Sequence, residues 1–392
     1  MRGARGSNNI GVFMAITIVS HEISWKDRVD AFNHRMRAGG SKYGFYVDPE
    51  PTWIPKRSDE QRVWREYFLA IEDGKDVRGG YALKPQHWWV RGELVTVTDW
   101  QGPFSEGAIS NRYGALGLRM LRDMLKKQPL LYSWGHGGED QAIVQLLEKL
   151  QWRLHPTPFL FRVLRPFHFA RKNKYLREDP KKRLALDALA FSGLASVGGR
   201  AVAAALRIKS RRRFTAKAEI VPSFGAWADE IWDRGKDDYA ALAVRDAAAM
   251  NTLAPPGERQ REWSELLRLR VRDREGRDLG WALLCDRQME DHHRYGSLRV
   301  GTLVDYFAPV ASAGEVVHAA LEVLRERGAE IVIANQSDPR WIRALEDNAF
   351  LRVEGKRLFC AAPPLVEALE PWDDTKERLF LTNMDGHGPM GL

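Results

Sequence analysis

The sequence contains little cysteine, with only Cys285 and Cys360 among its 392 residues. Two cysteines cannot build a disulfide framework, and no cysteine or histidine cluster has the spacing of a zinc site. The chain also lacks a run of about 18 uncharged apolar residues, so no transmembrane helix is expected. These absences favour a globular protein of a reducing compartment, and we expect a cytoplasmic location and no bound metal.

Neither sign of charge is in large excess. Lys and Arg number 60 against 52 Asp and Glu, for a formal net charge of +8. Such a balance does not by itself indicate nucleic-acid binding. Tryptophan is plentiful, with 14 residues, but none lies between positions 153 and 226. The chain is longer than one ordinary domain of roughly 100–200 residues, and the gap suggests two domains separated by a different kind of segment.

The segment between the tryptophan-rich regions is basic at its ends and rich in alanine and leucine at its centre, residues 184–208. One interpretation is a helix at an anionic membrane surface, which makes residues 184–213 a peripheral contact at the inner face of the membrane. The other is a helical linker packed against the domains. Asp187, Arg200 and Arg207 interrupt the apolar run and favour the linker.

The N-terminus combines Arg2 and Arg5 with a short apolar run, which imitates a signal peptide. The run is too short, and no small-residue cleavage pattern follows it. Residues 16–19 are therefore predicted to form a first strand, and residues 1–14 a flexible N-terminus.

Two halves of the chain repeat one order of elements. Each half starts with a hairpin, turning at Gly74 or Gly276, and continues as strand, helix, strand, helix and closing strand. The two turns lie about 200 residues apart, and a fixed period of this kind indicates a tandem duplication. The predicted fold class is α/β with a mixed sheet. The predicted domains are residues 15–166 and 216–366, joined by a helical basic linker at 167–215 and followed by a tail at 367–392.

The hydrophobic pattern gives bounds for these elements. In the first half it predicts strands at 67–73, 77–83, 94–98, 130–134 and 159–163, with helices at 116–125 and 142–150. In the second half it predicts strands at 267–271, 279–284, 298–306, 331–333 and 350–359, with helices at 316–324 and 341–345.

A glycine-containing loop, Arg112-Tyr113-Gly114-Ala115-Leu116-Gly117, follows the first central strand and opens the next helix. It resembles the Gln/Arg-x-x-Gly-x-Gly/Ala loop of the GCN5-related N-acetyltransferase (GNAT) family. The segment 146–152 is similar to the family's Leu-Tyr-Glu-Lys-Leu-Gly-Phe. The resemblance covers residues 60–166 well and residues 260–362 more weakly.

The resemblance implies an N-acyltransferase that uses acetyl-CoA, or another acyl-CoA, as co-substrate. Backbone N–H groups at a helix N-terminus suit the pyrophosphate of CoA, small residues allow close approach, and Arg112 adds positive charge. The alternative is an ordinary strand–helix turn. Ala115 stands where the family prefers glycine, and its Cβ atom narrows the approach of the phosphates to the backbone. The equivalent segment 309–315 of the second half keeps only Gly314 and has no arginine, so we expect the donor in the first half.

The C-terminal residues 382–389, TNMDGHGP, resemble a motif of bacterial tandem-GNAT proteins, and FemAB-type aminoacyltransferases share the doubled architecture. The tandem group is often associated with cell-surface polysaccharide loci, which implies an amine of a small molecule or an amino sugar as acceptor. One alternative is aminoacyl transfer from charged tRNA, with basic residues in 167–182 and 209–217 contacting RNA. Another is a non-catalytic adaptor. We expect the glycine-rich tail to be mobile.

The catalytic groups are less evident. The family's general acid is commonly a tyrosine on the last helix, but Leu147 and Leu345 occupy that position in the two halves. Asp99, at the end of the central strand, is the first candidate base, and His136 could shuttle protons near neutral pH. Tyr132 is a weaker candidate acid. The alternatives are a turn carboxylate, a solvated loop histidine and a core tyrosine.

Polar residues also follow two strands of the second half. Asp305, Tyr306, Asn335 and Gln336 lie where the ends of strands are expected to meet a cleft. Ligands bind open α/β sheets at the carboxyl ends of strands, so these residues are predicted to bind the acceptor.

Overall fold

A computed structural model describes residues 15–45, 56, 58–174, 214–255, 265–386 and 388. The predicted flexible N-terminus and most of the predicted basic linker lie outside these residues. Two compact units are present. Unit 1 comprises the described residues of Met1–Pro55, Arg65–Lys84 and Trp100–Gln128, and unit 2 those of Lys56–Trp64, Pro85–Asp99 and Pro129–Leu392.

Unit 1 contains an antiparallel hairpin, a further strand that pairs with it, and two helices. β1 (Ile16–Ser20) pairs with β2 (Glu66–Glu72), and β2 pairs with β3 (Asp76–Val90) across a turn in which Gly74 has a φ of +69°. β3 and β4 (Glu93–Ser105) each contribute residues to both units. The helices are α1 (Lys26–Ala38) and α2 (Leu116–Lys127), and 3-10 turns cover Glu106–Ala108 and Asn111–Tyr113.

The apolar pattern of α2 decides which face it buries. Leu116, Met120 and Met124 are buried at a spacing of four residues, whereas Arg122 and Lys126 are exposed. The helix therefore has one apolar stripe, as the sequence predicted. A second cluster in this unit packs Phe32 and Met36 of α1 against Leu69, Ile71 and Val77 of the hairpin.

Unit 2 holds elements of both sequence halves, and it includes every described element that follows α2. Those of the first half are β5 (Leu131–Gly135), α3 (Ala142–Lys149), β6 (Arg153–Val163) and α4 (Pro166–Lys172). Next come β7 (Lys217–Val221), α5 (Ala226–Gly235), β8 (Ala241–Ala243) and α6 (Ala247–Leu253). They are followed by β9 (Glu265–Arg272), β10 (Asp278–Gln288), β11 (Arg299–Phe307), α7 (Ala313–Glu326), β12 (Ile331–Asn335) and α8 (Pro339–Asp347). The last are β13 (Leu351–Ala361), α9 (Pro363–Ala368), α10 (Trp372–Thr375) and β14 (Leu379–Phe380).

The closing strands of the two halves are interleaved in the sheet of unit 2. Its order is β4-β5-β13-β6-β12-β11-β10-β9-β7. β13, from the second half, lies between β5 and β6 of the first, and β6 lies between β13 and β12. β4–β5 and β11–β12 are parallel pairs, and the pairs made by β6 and β13 are antiparallel. The predicted mixed α/β class is confirmed.

Because the two sequence halves exchange strands, the boundaries of the compact units differ from those of the sequence repeat. Strands from residues 131–163 and 331–361 share backbone hydrogen bonds, so contacts do not separate the halves. The tandem boundaries at 15–166 and 216–366 stay a prediction.

Several elements are longer than the sequence pattern indicated. β4 continues to Ser105, whereas the strand was predicted to end at residue 98, and β6 begins at Arg153 rather than at residue 159. Within the described residues, no helix is long and apolar enough to cross a membrane.

Candidate functional site

The loop Arg112–Gly117 leads directly into α2. Tyr113 ends a 3-10 turn and is buried, Gly114 has helical backbone angles, and Ala115 is the N-cap residue. Among the residues that the structure describes, no side chain caps α2, and its first turn carries no acidic residue. The backbone N–H groups of a first helical turn have no partner within the helix, so this end of α2 suits an anion.

Gly117 lies in the first turn of α2 and borders open space. A Cβ atom built on it meets no heavy atom within 4 Å outside its own helix, among the described residues. At Gly114 a Cβ atom would lie 3.3 Å from the carbonyl oxygen of Asn111. The opening is therefore at Gly117, where the family loop carries its last small residue.

A buried carboxylate holds the first two residues of the loop. Arg112 donates through Nη2 to Oε1 of Glu72 at 3.0 Å, and the Tyr113 hydroxyl donates to Oε2 at 3.0 Å. The Arg112 side chain is 54% exposed, so the charge that was predicted to meet phosphate is anchored on one side and reaches solvent on the other.

The equivalent loop of the second half is closed by the chain itself. A Cβ atom on Gly314 would lie 2.5 Å from Cε1 of Phe214, so the aromatic ring fills the space that is open at Gly117. Glu315, in the first turn of α7, accepts hydrogen bonds from the backbone N–H groups of Thr215 and Ala216 at 2.8 Å each. A carboxylate in the first turn also repels an anion.

Asp99 and Tyr132 are neighbours on the parallel strands β4 and β5. Both are buried, and the Tyr132 hydroxyl donates to the backbone carbonyl of Asp385 at 2.6 Å. Burial raises the pKa of Tyr132 well above its usual value, and the charge of Asp99 raises it further. A phenol in this state holds its proton at neutral pH.

His136 follows β5, and its side chain contacts Ser133, on the face of β5 opposite to that of Tyr132. Its Nε2 is 2.7 Å from Oγ of Ser133, whose side chain alternates with that of Tyr132 along the strand. Burial lowers the pKa of His136, so the imidazole is neutral at neutral pH. The roles of Asp99, Tyr132 and His136 in catalysis stay predictions.

The predicted acceptor residues lie where β11 and β12 separate. Pairing of these strands ends at Leu303 opposite Ala334, and β11 continues to Phe307. Nε2 of Gln336 donates to the Tyr306 hydroxyl at 3.3 Å, which donates to the carbonyl of Asn335 at 3.3 Å.

All four of these residues are buried in the described structure: Asp305, Tyr306, Asn335 and Gln336. Contact with an acceptor requires their exposure, so the assignment stays a prediction.

Arg245 is a buried residue that the sequence analysis did not identify as a candidate. Its Nε donates to both carboxylate oxygens of Asp305 at 3.1–3.2 Å, and its Nη2 donates to Oδ2 of Asp385 at 2.7 Å. The Thr382 hydroxyl also donates to Asp305, at 2.8 Å. Burial raises the pKa of Asp305, Arg245 opposes this rise, and Asp385 adds to it.

A sequence signal for this cluster existed. Arg245 directly follows the apolar run 239–244, and charged residues at the end of a buried strand are rarely left unpaired. The expectation of a mobile glycine-rich tail is wrong for residues 382–386, which are buried. Thr382 caps a 3-10 turn that contains Asp385, and both residues are almost fully buried.

The side chains at the family's tyrosine position serve the core. Leu147 on α3 and Leu345 on α8 are both fully buried. Within the described residues, no group of three or more His, Cys, Asp or Glu residues could hold a metal ion.

No protein-family model matches the sequence, and no curated protein matches it. Solved structures do show similarity. The chain is similar to a GCN5-related N-acetyltransferase from Anabaena variabilis, with a TM-score of 0.52 and 10% identity over 88% of this chain and 72% of that one.

It is similar to Saccharomyces cerevisiae N-myristoyltransferase with bound myristoyl-CoA, with a TM-score of 0.52 and 10% identity over 91% of this chain and 81% of that one. Another structure of the yeast enzyme with bound myristoyl-CoA gives a TM-score of 0.50 and 11% identity, over 91% and 84% of the two chains. Similarity at such low identity establishes the fold alone. The chain has the fold of the GCN5-related N-acetyltransferases.

Proposed function

We propose that the protein is an acyl-CoA-dependent N-acyltransferase and that its donor binds at the loop Arg112–Gly117. The observation that carries the proposal is the first turn of α2, where the N-cap residue has no side-chain cap and a Cβ atom on Gly117 would meet no described atom outside the helix. Such a turn offers backbone N–H groups and the positive end of the helix dipole to a pyrophosphate. The fold shared with the yeast enzyme, which was solved with bound myristoyl-CoA, supports a thioester of CoA as donor.

The contrast between the two halves supports one donor site per chain. At the equivalent turn of α7, the ring of Phe214 fills the space beside Gly314, and the carboxylate of Glu315 adds a negative charge. A second pyrophosphate would have to displace an aromatic ring and approach a carboxylate. The proposed stoichiometry is one acyl-CoA per chain.

The proposed reaction is transfer of an acyl group, acetyl in the simplest case, to an amine of a small molecule or an amino sugar. The amine nitrogen attacks the thioester carbonyl carbon, the C–S bond breaks, and an amide and free CoA result. The amine loses a proton and the CoA thiolate gains one. Asp99 is the proposed base. Leu147 and Leu345 cannot protonate the thiolate, so its proton comes from another group.

The first test is calorimetric titration of acetyl-CoA and free CoA into wild type and Gly117→Glu. The new carboxylate would occupy the space beside the first turn and repel the pyrophosphate, so binding should weaken about tenfold or more. Lys126→Gln is the matched control, because it makes the same change of net charge at an exposed position in the last turn of α2.

Binding by wild type and by Lys126→Gln, together with loss in Gly117→Glu, supports the proposal. Equal binding by all three proteins places the donor elsewhere. If folded wild type binds neither ligand, the acyl-CoA proposal is wrong. Salt-dependent binding of charged tRNA would then distinguish an aminoacyltransferase from a non-catalytic adaptor.

A further inference from the structure

Glu72 is a buried carboxylate at the end of β2, beside the hairpin turn of unit 1. Three side chains donate to it: Arg78 through Nε at 2.8 Å, Arg112 at 3.0 Å and Tyr113 at 3.0 Å. Two of these donors are consecutive residues of the loop that opens α2. Glu72 is thus a shared anchor for the start of the loop.

The guanidinium groups around Glu72 also pack on Tyr113. The Cζ atoms of Arg78 and Arg112 each lie 5.3 Å from the centroid of the Tyr113 ring. Cations at this distance from an aromatic ring are attracted to it. The ring is therefore held by its hydroxyl and by its faces, and α2 begins three residues later.

Glu106 is a second buried carboxylate of the same cluster. It accepts from Nε of Arg35 at 2.6 Å and from Nη1 of Arg78 at 3.2 Å. Arg78 therefore bridges the two carboxylates. Glu72 and Glu106 are each 4% exposed, and of these two carboxylates it is Glu72 that accepts from Arg112 and Tyr113 among the described residues.

Glu72 stays ionised over the whole range in which an acyltransferase would be assayed. Burial alone would raise the pKa of Glu72, but hydrogen bonds from Arg78 and Tyr113 and the charges of Arg78 and Arg112 outweigh it and lower the pKa. The anchor therefore keeps its negative charge, and its hydrogen bonds are of the stronger, charge-assisted kind.

We propose that Glu72 is a positioning residue for the acyl-CoA donor. It fixes Arg112 with its exposed side outward and holds Tyr113, so that the N–H groups at the start of α2 face the donor before it binds. This inference rests on the proposed function and deepens it. A loop ordered in advance loses less conformational freedom on binding, and ligand affinity is higher for that reason.

The test compares Glu72→Gln with Glu106→Gln. Both variants neutralise a buried carboxylate of one cluster, so both should lose thermal stability. Glu72→Gln weakens the direct hydrogen bonds to Arg112 and Tyr113, whereas Glu106→Gln reaches Tyr113 only through Arg78. Glu72→Gln should therefore weaken CoA binding about tenfold or more, and Glu106→Gln should weaken it less. Glu72→Asp keeps the carboxylate and should recover part of the affinity.

Hydrogen exchange of the ligand-free proteins gives a readout that does not depend on the donor. The backbone amides of residues 112–118 should exchange faster in Glu72→Gln than in Glu106→Gln. In steady-state kinetics, Glu72→Gln should raise the KM for the acyl-CoA while kcat stays close to that of wild type, because Glu72 touches neither reacting group.

The two proposals fail in different ways. If wild type binds CoA and both variants lose affinity equally, Glu72 serves stability only and this inference is overturned while the donor site stands. A gain in affinity in Glu72→Gln also overturns it, because Glu72 would then compete with phosphate for Arg112. If folded wild type binds no CoA, the donor site and the role of Glu72 are overturned together.

Discussion

At the scale of single residues, the half-buried histidine His155 shows how partial removal from water sets a charge. Its side chain packs edge-on against Trp372, with ring centroids 5.7 Å apart. Burial lowers the pKa of His155 to about 4, and Lys376 contributes to the decrease. The residue is neutral in the folded protein at a pH where the unfolded chain would carry a proton on it.

The consequence is a pH-dependent stability with a defined sign. Because the folded-state pKa lies below the ordinary value of 6.5, the unfolded chain binds more protons between pH 6.5 and about 4. His155 therefore lowers the free energy of unfolding as the pH falls through this range, by about 3 kcal/mol in total.

Replacement of His155 by Phe should remove this contribution while it keeps a ring against Trp372. Urea unfolding of both proteins at pH 8, 6 and 4.5 measures it. The stability of wild type relative to the variant should decrease toward acid pH and be constant above pH 7. A difference that does not change with pH would show that His155 is protonated equally in both states.

At the scale of elements, α2 and α7 begin at equivalent loops but in opposite surroundings. Among the described residues, nothing outside α2 lies within 4 Å of a Cβ atom placed on Gly117, whereas Gly314 lies under Phe214. The sequence showed a difference in glycine and arginine content between these loops. It did not show that residues 214–216 close one of them, because that contact joins segments about 100 residues apart.

Gly117→Ala should separate the stability of α2 from its proposed use. Alanine is favoured over glycine in a helix by about 0.5–1 kcal/mol, and the methyl group meets no atom of the described structure outside the helix. The ligand-free variant should therefore be more stable than wild type. Its affinity for CoA should stay close to that of wild type, because the loop that this segment resembles accepts alanine at this position, whereas Gly117→Glu should lose binding.

Thermal unfolding with and without CoA measures both effects. CoA should raise the Tm of wild type and of Gly117→Ala by similar amounts, and that of Gly117→Glu less. A rise in Gly117→Glu as large as in wild type would mean that the donor does not approach the first turn of α2.

At the scale of the whole chain, Arg245 joins segments that are far apart in sequence. It follows β8 and binds Asp305 of β11 and Asp385 near the C-terminus, all within unit 2. Two carboxylates and one guanidinium are removed from water here. Such a cluster stabilises the fold only while its members stay paired.

Arg245→Met should lower the free energy of unfolding of the protein by about 3–5 kcal/mol, because Asp305 and Asp385 lose their cation. Adding Asp305→Asn to this variant should restore part of the loss, since one unpaired charge is then removed. Denaturant unfolding measures the change, with the exposed Arg234→Met as control. A loss no larger than that of the control would mean that water or a rearrangement solvates the two carboxylates.

Local patterns in the sequence were enough to predict several elements of this protein. The apolar spacing at Leu116, Met120 and Met124 and the turn at Gly74 depend on neighbours in the chain, so α2 and the first hairpin were predicted correctly. The loop at 112–117 was also visible, because its glycines and its place after a strand are local features. The mixed α/β class followed from the order of these elements.

The partners of these elements, in contrast, depend on tertiary contacts. The exchange of β6 and β13, the closure of the loop at Gly314 and the burial of Asp385 beside Arg245 all pair segments that are distant in the sequence. Hydrophobic periodicity shows that a strand has a buried face, but it does not specify which strand lies beside it. Several strands here have similar apolar patterns, and packing of side chains and pairing of buried charges select one arrangement.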